Sequence, residues 1–205
     1  MKKMLQNQHK DARQHIRTAL WRQLDHSGTE YASLWSLPSG WELCGTVVLA
    51  EKDDPMLVEY VVTCNAAWET KEVLVRVAKG GEYRELRLQV DEEQRWWDGE
   101  REVIAARGCL DVDLGVTPIT NTLPIRRLAL APGEAALCDA AWIRFPDLAI
   151  ELLPQRYIHI EPRRYRYESD NGAFSTDIVV DDLGLVTMYA KGWERVVTAN
   201  SRLTG

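Results

Sequence analysis

Phenylalanine is nearly missing from this chain: two Phe stand against eight Trp and seven Tyr in 205 residues. Rings that carry a polar handle are preferred over the one that does not. That bias suits surfaces half apolar and half wet, such as interfaces and amphipathic ligand sites. No apolar run approaches the roughly 18–20 residues of a membrane helix, so the sequence offers no candidate for integral membrane association. Cations are not in excess either. The formal charge of −6 argues against a nucleic-acid partner, because phosphate neutralisation needs a basic face. Cys44, Cys64, Cys109 and Cys138 are widely spaced, with no Cys-x-x-Cys and no His at zinc spacing, which argues against a metal site. Gly-x-Ser-x-Gly, His-Glu-x-x-His and a glycine-rich phosphate loop are also missing, so neither a nucleophile elbow nor a cofactor is expected.

What is present reads as one globular domain. Hydrophobic residues at 45% and charged residues at 27% are ordinary values, which exclude disorder, collagen and coiled coil as whole-chain readings. The length suffices for a sizeable core. Charge is placed unevenly: residues 1–22 hold Lys2, Lys3, Lys10, Arg13, Arg17 and Arg22 against Asp11 alone. Met4, Leu5, Ala12, Ile16 and Leu20 form a thin apolar stripe at helical spacing. Residues 1–20 are therefore read as a basic arm, flexible or helical, residues 21–196 as the domain, and residues 197–205 as a tail. Met-Lys-Lys opens the chain, but Gln6 to Gln14 is polar apart from Ala12, unlike the apolar centre of a secretory signal. The expected compartment is the cytoplasm, with the four thiols unpaired.

From Trp41 onward the pattern is that of strands. Thr46–Glu51, Leu57–Cys64 and Lys71–Ala78 are short and β-branched, and Leu86, Leu88 and Val90 alternate with Arg87 and Gln89. Gly80-Gly81, Asp98-Gly99, Pro132-Gly133 and Asn171-Gly172 mark turns. Further strands are predicted at Ile125–Ala131, Ala136–Phe145, Ala149–Leu153, Tyr157–Glu161, Tyr165–Ser169, Phe174–Val180 and Leu185–Tyr189. Thr117–Thr122 interrupts them and has room for one helical turn. About a dozen strands without a βαβ rhythm predict an all-β, single-domain antiparallel fold with little helix. Managing so many edges points to a barrel or a curled roll, whose interior is either filled by side chains or left as a ligand cavity.

Three groups of residues could carry chemistry. Asp111 and Asp113 sit two apart and share a strand face, either as paired carboxylates or as partners of turn amides and of Arg126 and Arg127. Thr117, Thr120, Asn121 and Thr122 could meet a ligand or their own backbone. In Arg164-Tyr-Arg-Tyr-Glu, alternation puts Arg164, Arg166 and Glu168 on one face and Tyr165 and Tyr167 on the other, near Arg144 of Trp142-Ile-Arg-Phe-Pro. This cluster reads either as a groove for an anionic or sugar group, or as a solvated strand face opposite a Tyr-lined core. Much of the Trp and Tyr surplus falls inside strand segments, where large rings with backbone-bonded tips are expected to fill a wide roll.

The stretch Gly108-Cys-x-Asp-Val-Asp-Leu-Gly-x-Thr-Pro-x-Thr-Asn-Thr-Leu-Pro-Ile-Arg-Arg-Leu resembles the signature of a bacterial family of unknown function labelled "putative glycolipid-binding". Trp21-x-x-Leu-Asp-His-x-Gly-x-Glu-Tyr, Tyr60-x-Val-x-Cys-Asn-Ala-Ala-Trp, Trp142-Ile-Arg-Phe-Pro-x-Leu, Gln155-x-Tyr, Tyr165-x-Tyr-Glu-Ser and Asp182-x-Gly-Leu-Val resemble it too, over about residues 21–196. The resemblance implies a spiralling β-roll or open half-barrel and brings no catalytic residues with it. The leading expectation is a protein that holds a glycolipid or other amphipathic ligand. Inward apolar faces would take acyl chains, and Asp111, Asp113, Asn121, Arg126, Arg144, Tyr165, Arg166 and Tyr167 would contact the head group. One alternative is a hydrolase of sugar or phosphate esters using Asp111 or Asp113 with His26 or His159. A second is a protein-interaction module presenting Trp96-Trp97 and Trp193.

Overall fold

The computed structural model describes residues 13–51, 54–190 and 192–200. Eight strands run outward in chain order from the middle of the sheet: β1 (Gln14–Gln23), β2 (Gly28–Leu37), β3 (Gly40–Glu51), β4 (Asp54–Asn65), β5 (Thr70–Lys79), β6 (Glu82–Val90), β7 (Trp96–Asp98) and β8 (Arg101–Glu102). Seven more return from the other edge: β9 (Asp111–Leu114), β10 (Ala135–Ile143), β11 (Ile150–Glu161), β12 (Arg164–Ser169), β13 (Phe174–Val180), β14 (Val186–Tyr189) and β15 (Trp193–Asn200). Last meets first: β15 pairs with β1, Arg17 opposite Asn200. Among the described residues the result is one 15-stranded sheet whose two edges, β8 and β9, are consecutive strands in the chain. It is an all-β open roll, curled but not closed into a barrel.

Alternation explains the curl. In β4 Met56, Val58, Tyr60, Val62 and Cys64 are buried, while Leu57 and Glu59 face out. Gly80 and Gly81 both take positive φ (58° and 81°) between paired Lys79 and Glu82, the two-residue turn whose twist matches the strands it joins. The interior is filled. Trp21, Leu43, Leu88, Trp96, Leu114, Ile119 and Leu123 are fully buried, so the inward faces of the described residues are packed against one another rather than lining an acyl-chain tunnel. Trp21 and Trp96 donate their indole N–H groups to the carbonyls of Val186 and Cys109 at 2.9 and 3.0 Å, as expected of architectural rings.

Four details differ from the sequence reading. The segment read as a strand over Ile125–Ala131 belongs largely to the helix α1 (Thr122–Leu128). Pro124 sits in its first turn, where a missing N–H costs nothing, and Leu123 and Ile125 enter two separate core clusters. The sheet is not wholly antiparallel, because β9 pairs with β10 in parallel. Among the described residues there are fifteen strands rather than about a dozen. Finally, Gln14–Leu20 of the expected arm form most of β1; residues 1–12 and 201–205 lie outside the described residues. The arm's cations serve the roll: Arg17 binds Asp181 and Asp182 at 2.6 and 2.9 Å, and Arg13 binds Glu42 at 2.6 Å.

A polar tie crosses the interior. Glu30 of β2 is fully buried, and its Oε1 accepts from the Tyr60 hydroxyl of β4 and, at 2.6 Å, from the Thr117 hydroxyl in the loop after β9. Oε2 has no partner. Gly45 makes room for Tyr60: a Cβ there would lie 2.3 Å from the Tyr60 hydroxyl oxygen and 2.8 Å from Ala32 Cβ. Gly45→Ala is expected to destabilise by about 1–3 kcal/mol, since neither neighbour can retreat from a packed interior. A urea midpoint unchanged from the parent would contradict this.

Candidate ligand-binding cleft

A cleft of about 740 Å³ opens where several strand ends meet. Gln23, Asp25 and His26 come from the end of β1 and its turn; Asp113, Thr117 and Asn121 come from β9 and the loop before α1. Trp142 of β10, Glu151 to Pro154 of β11, Tyr167 of β12, Tyr189 of β14 and Trp193 of β15 complete the walls.

A hydrogen-bond network sets the polar side of this cleft. Gln155, buried on β11, donates through Nε2 to Asp113 Oδ2 at 2.6 Å and to the Tyr167 hydroxyl oxygen at 3.1 Å. The Tyr157 hydroxyl donates to Asn121 Oδ1 at 2.8 Å, and Asn121 Nδ2 donates to the Pro118 carbonyl at 3.1 Å. Burial pushes the Asp113 carboxyl up to about 6. Burial also raises the Tyr167 and Tyr189 hydroxyls, with the Asp113 charge adding to the effect.

Aromatic rings form the other side. Phe174 stacks with Tyr189 at 6.4 Å between centroids, and Tyr167 tilts against Tyr157 at 5.2 Å. Trp142 is half-buried with its indole N–H unpartnered among the described residues. Arg144 lies 5.2 Å over its ring and pairs with Glu151 at 3.0 Å. The wall thus combines ring faces with the carboxyls of Asp25, Asp113, Glu151 and Asp170 and the amides of Asn121 and Asn171. Such a set can accept hydroxyl protons on one side and cover C–H faces on the other.

The eight expected head-group residues do not form one site. Asp113, Asn121 and Tyr167 come together here, and Arg144 reaches the rim through Trp142. Asp111 shares the face of β9, but its carboxylate is held by Arg127 at 3.1 and 2.5 Å. Arg166 points to the outer face and binds Asp177 at 2.9 Å, because the alternation that turns Tyr165 and Tyr167 inward turns the arginines out. Arg126 and Tyr165 line a different pocket. Gln155 and Tyr189 join this cleft without being among the residues expected for it, and Trp193, expected on an interaction surface, lines it instead; Gln155 carries a sequence signal, since it alternates inward with Tyr157 and His159.

Of the hydrolase pairs, Asp113 and His26 both line the cleft, whereas Asp111 and His159 do not. No hydrogen bond among the described residues joins Asp111 or Asp113 to His26 or His159: His26 lies 3.7 Å from Asp25, and His159 donates to the Leu130 carbonyl. No three His, Cys, Asp or Glu side chains among the described residues converge as metal ligands. Trp96 and Trp193 are buried, and Trp97 is half-buried with its N–H on Asp91 at 2.9 Å, so the three do not make up an exposed patch.

A family model described as "Putative glycolipid-binding" matches residues 18–195. The chain belongs to that family. In this member the match runs from Thr18 in β1 to Arg195 in β15 and so contains every cleft residue named above. A crystal structure of a DUF1089 family protein from Pseudomonas aeruginosa is similar, with 30% sequence identity and a TM-score of 0.74 over 82% of this chain and 92% of that chain. A comparison with curated proteins finds no match. No helix among the described residues is long and apolar enough to cross a membrane.

Proposed function

We propose that the protein binds, without catalysis, the sugar head of a glycolipid or related amphipathic glycoconjugate in the end cleft. The observation that carries this reading is the composition of the cleft: indole and phenol rings facing carboxyls and amides in a space of about 740 Å³. That volume lies in the usual range for small-molecule sites. Sugar hydroxyls would donate to Asp113 and Asn121 while a pyranose C–H face covers Trp142. Four carboxyls in the wall disfavour an anionic head. The filled interior favours holding the head group at the cleft over swallowing an acyl chain. Leu152 and Phe174, both exposed at the rim, offer the start of the chain an apolar surface.

The test uses n-octyl β-glucoside below its micelle threshold, with n-octyl phosphate as the chain-matched anion. Calorimetry is expected to give saturable binding of the glucoside, weakened about tenfold by Trp142→Ala and by Asp113→Asn, two substitutions that leave the response to n-octyl phosphate unchanged. The reading is overturned if the glucoside does not saturate, or if both folded variants bind it as the parent does.

A further inference from the structure

A second pocket lies apart from the cleft, about 350 Å³ between the end of α1, the β11–β12 turn and the β13–β14 turn. Three of its side chains lack the partners their chemistry calls for. Arg126 is exposed; its stem crosses Gly184, its guanidinium sits 5.4 Å from the Trp68 ring centroid, and it makes no ion pair among the described residues. Arg163 makes none either; its left-handed φ of 67° belongs to the two-residue turn Pro162-Arg163 between paired Glu161 and Arg164. His159 is 8% exposed and lines the same pocket. Its Nδ1 lies 2.6 Å from the Leu130 carbonyl, which can only accept, so Nδ1 carries the proton. Its Nε2 is buried with no partner, an arrangement that costs free energy unless a ligand supplies one. The ring is held in place by stacking on Tyr165 at 4.4 Å and 12°.

Asp181 and Asp182 also line this pocket, but their charges are already answered. Asp181 binds Arg17 and Arg195, each at 2.6 Å, and Asp182 binds Arg17 at 2.9 Å. Arg163 also acts through space on Asp182, yet with Arg17 and Arg195, which are not part of the lining, four guanidinium groups meet two carboxylates and leave a positive excess.

We propose that this pocket binds a phosphate monoester, with Arg126 and Arg163 gripping its oxyanion and His159 Nε2 contacting its remaining oxygen. Guanidinium groups match phosphate geometry through paired N–H donors. A monoester suits the histidine in both of its states. Neutral Nε2 accepts the P–OH of the hydrogen phosphate, and protonated Nε2–H donates to an oxyanion. A phosphate diester offers no P–OH to the neutral ring. The site is independent of the sugar cleft, and its ligand carries the opposite character.

The test follows the imidazole nitrogen signals of His159 by NMR while inorganic phosphate, then glycerol 3-phosphate, is added against sodium chloride at equal ionic strength. Saturable shifts with both phosphates and none with chloride are expected. Arg126→Ala/Arg163→Ala, at two exposed positions and with its fold checked by circular dichroism, is expected to weaken binding at least about tenfold. Flotation with vesicles of phosphatidylcholine alone, and of phosphatidylcholine with phosphatidic acid in equal parts, separates the sources. Binding to the acidic vesicles that the double variant loses assigns the monoester to a lipid. Phosphate-induced shifts without vesicle binding assign it to a free metabolite. Unmoved His159 signals together with no difference between the vesicles overturn the proposal.

Discussion

Replacing Arg127 by alanine is expected to cost the fold about 3–5 kcal/mol, the usual penalty for stripping the partner from a buried charge. Asp111 is 1% exposed on β9, and Arg127 of α1 grips both its oxygens. Burial already pushes the Asp111 carboxyl up despite the guanidinium that opposes the shift. Without that guanidinium its folded-state value rises further above the unfolded one. The variant's deficit is then largest above that raised value and shrinks as pH falls and the carboxyl takes up a proton. Asp111→Asn/Arg127→Met, which swaps the pair for a neutral and apolar one, should recover most of the loss. Urea unfolding of the three proteins measures this. A deficit below about 1 kcal/mol for Arg127→Ala would mean that water reaches Asp111 after all. The pair also fixes α1 against β9, and the loop between them carries Thr117 and Asn121 into the cleft, so the same variant should loosen sugar binding.

Glu30→Gln is expected to make the protein more stable at about pH 8 and to flatten its pH dependence. Burial pushes the Glu30 carboxyl up to about 7, against the hydrogen bonds from Thr117 and Tyr60 that lower it. The folded protein therefore binds a proton that the unfolded chain releases near the ordinary value of 4.5. Stability from this group is full below the unfolded value and is lost as pH rises toward 7. The loss is of order 3 kcal/mol at most, since each pH unit between the unfolded and folded values is worth about 1.4 kcal/mol. Glutamine keeps an oxygen for the two hydroxyl donors and never ionises. Asp113, raised to about 6, pulls in the same direction at lower pH, so the Glu30 contribution is read between about pH 6 and 8. Thermal unfolding followed by circular dichroism gives the comparison. A Glu30→Gln protein that is less stable than the parent at about pH 8, or equally steep in pH, would show that the carboxylate is tolerated inside the roll.

How much of this could be read from the chain depends on the range of the interaction involved. Alternation and turn chemistry are local. They told correctly that Leu57–Cys64 lies in a strand, that β12 turns Tyr165 and Tyr167 to one face and Arg164 and Arg166 to the other, and that Gly80-Gly81 makes a turn. The long motif from Gly108 to Leu128 was specific enough to point to the family. Local pattern could not see that Arg17 meets Asn200 across the whole length of the chain, which turns an apparent arm into the middle of the sheet. Nor could it see that Ile125 is helical, since a short apolar run with two arginines fits either period and only the two cores it joins decide between them. The cleft is the furthest from local reading. Asp113, Tyr167 and Trp193 are brought together by the curl of the roll, and Asp111 is removed from them by one guanidinium on α1. Sequence by itself determined most of the strands, the alternation of their faces and the family. The tertiary structure alone decided which polar groups share a site, because side chains far apart in the chain meet only when the sheet bends back on itself.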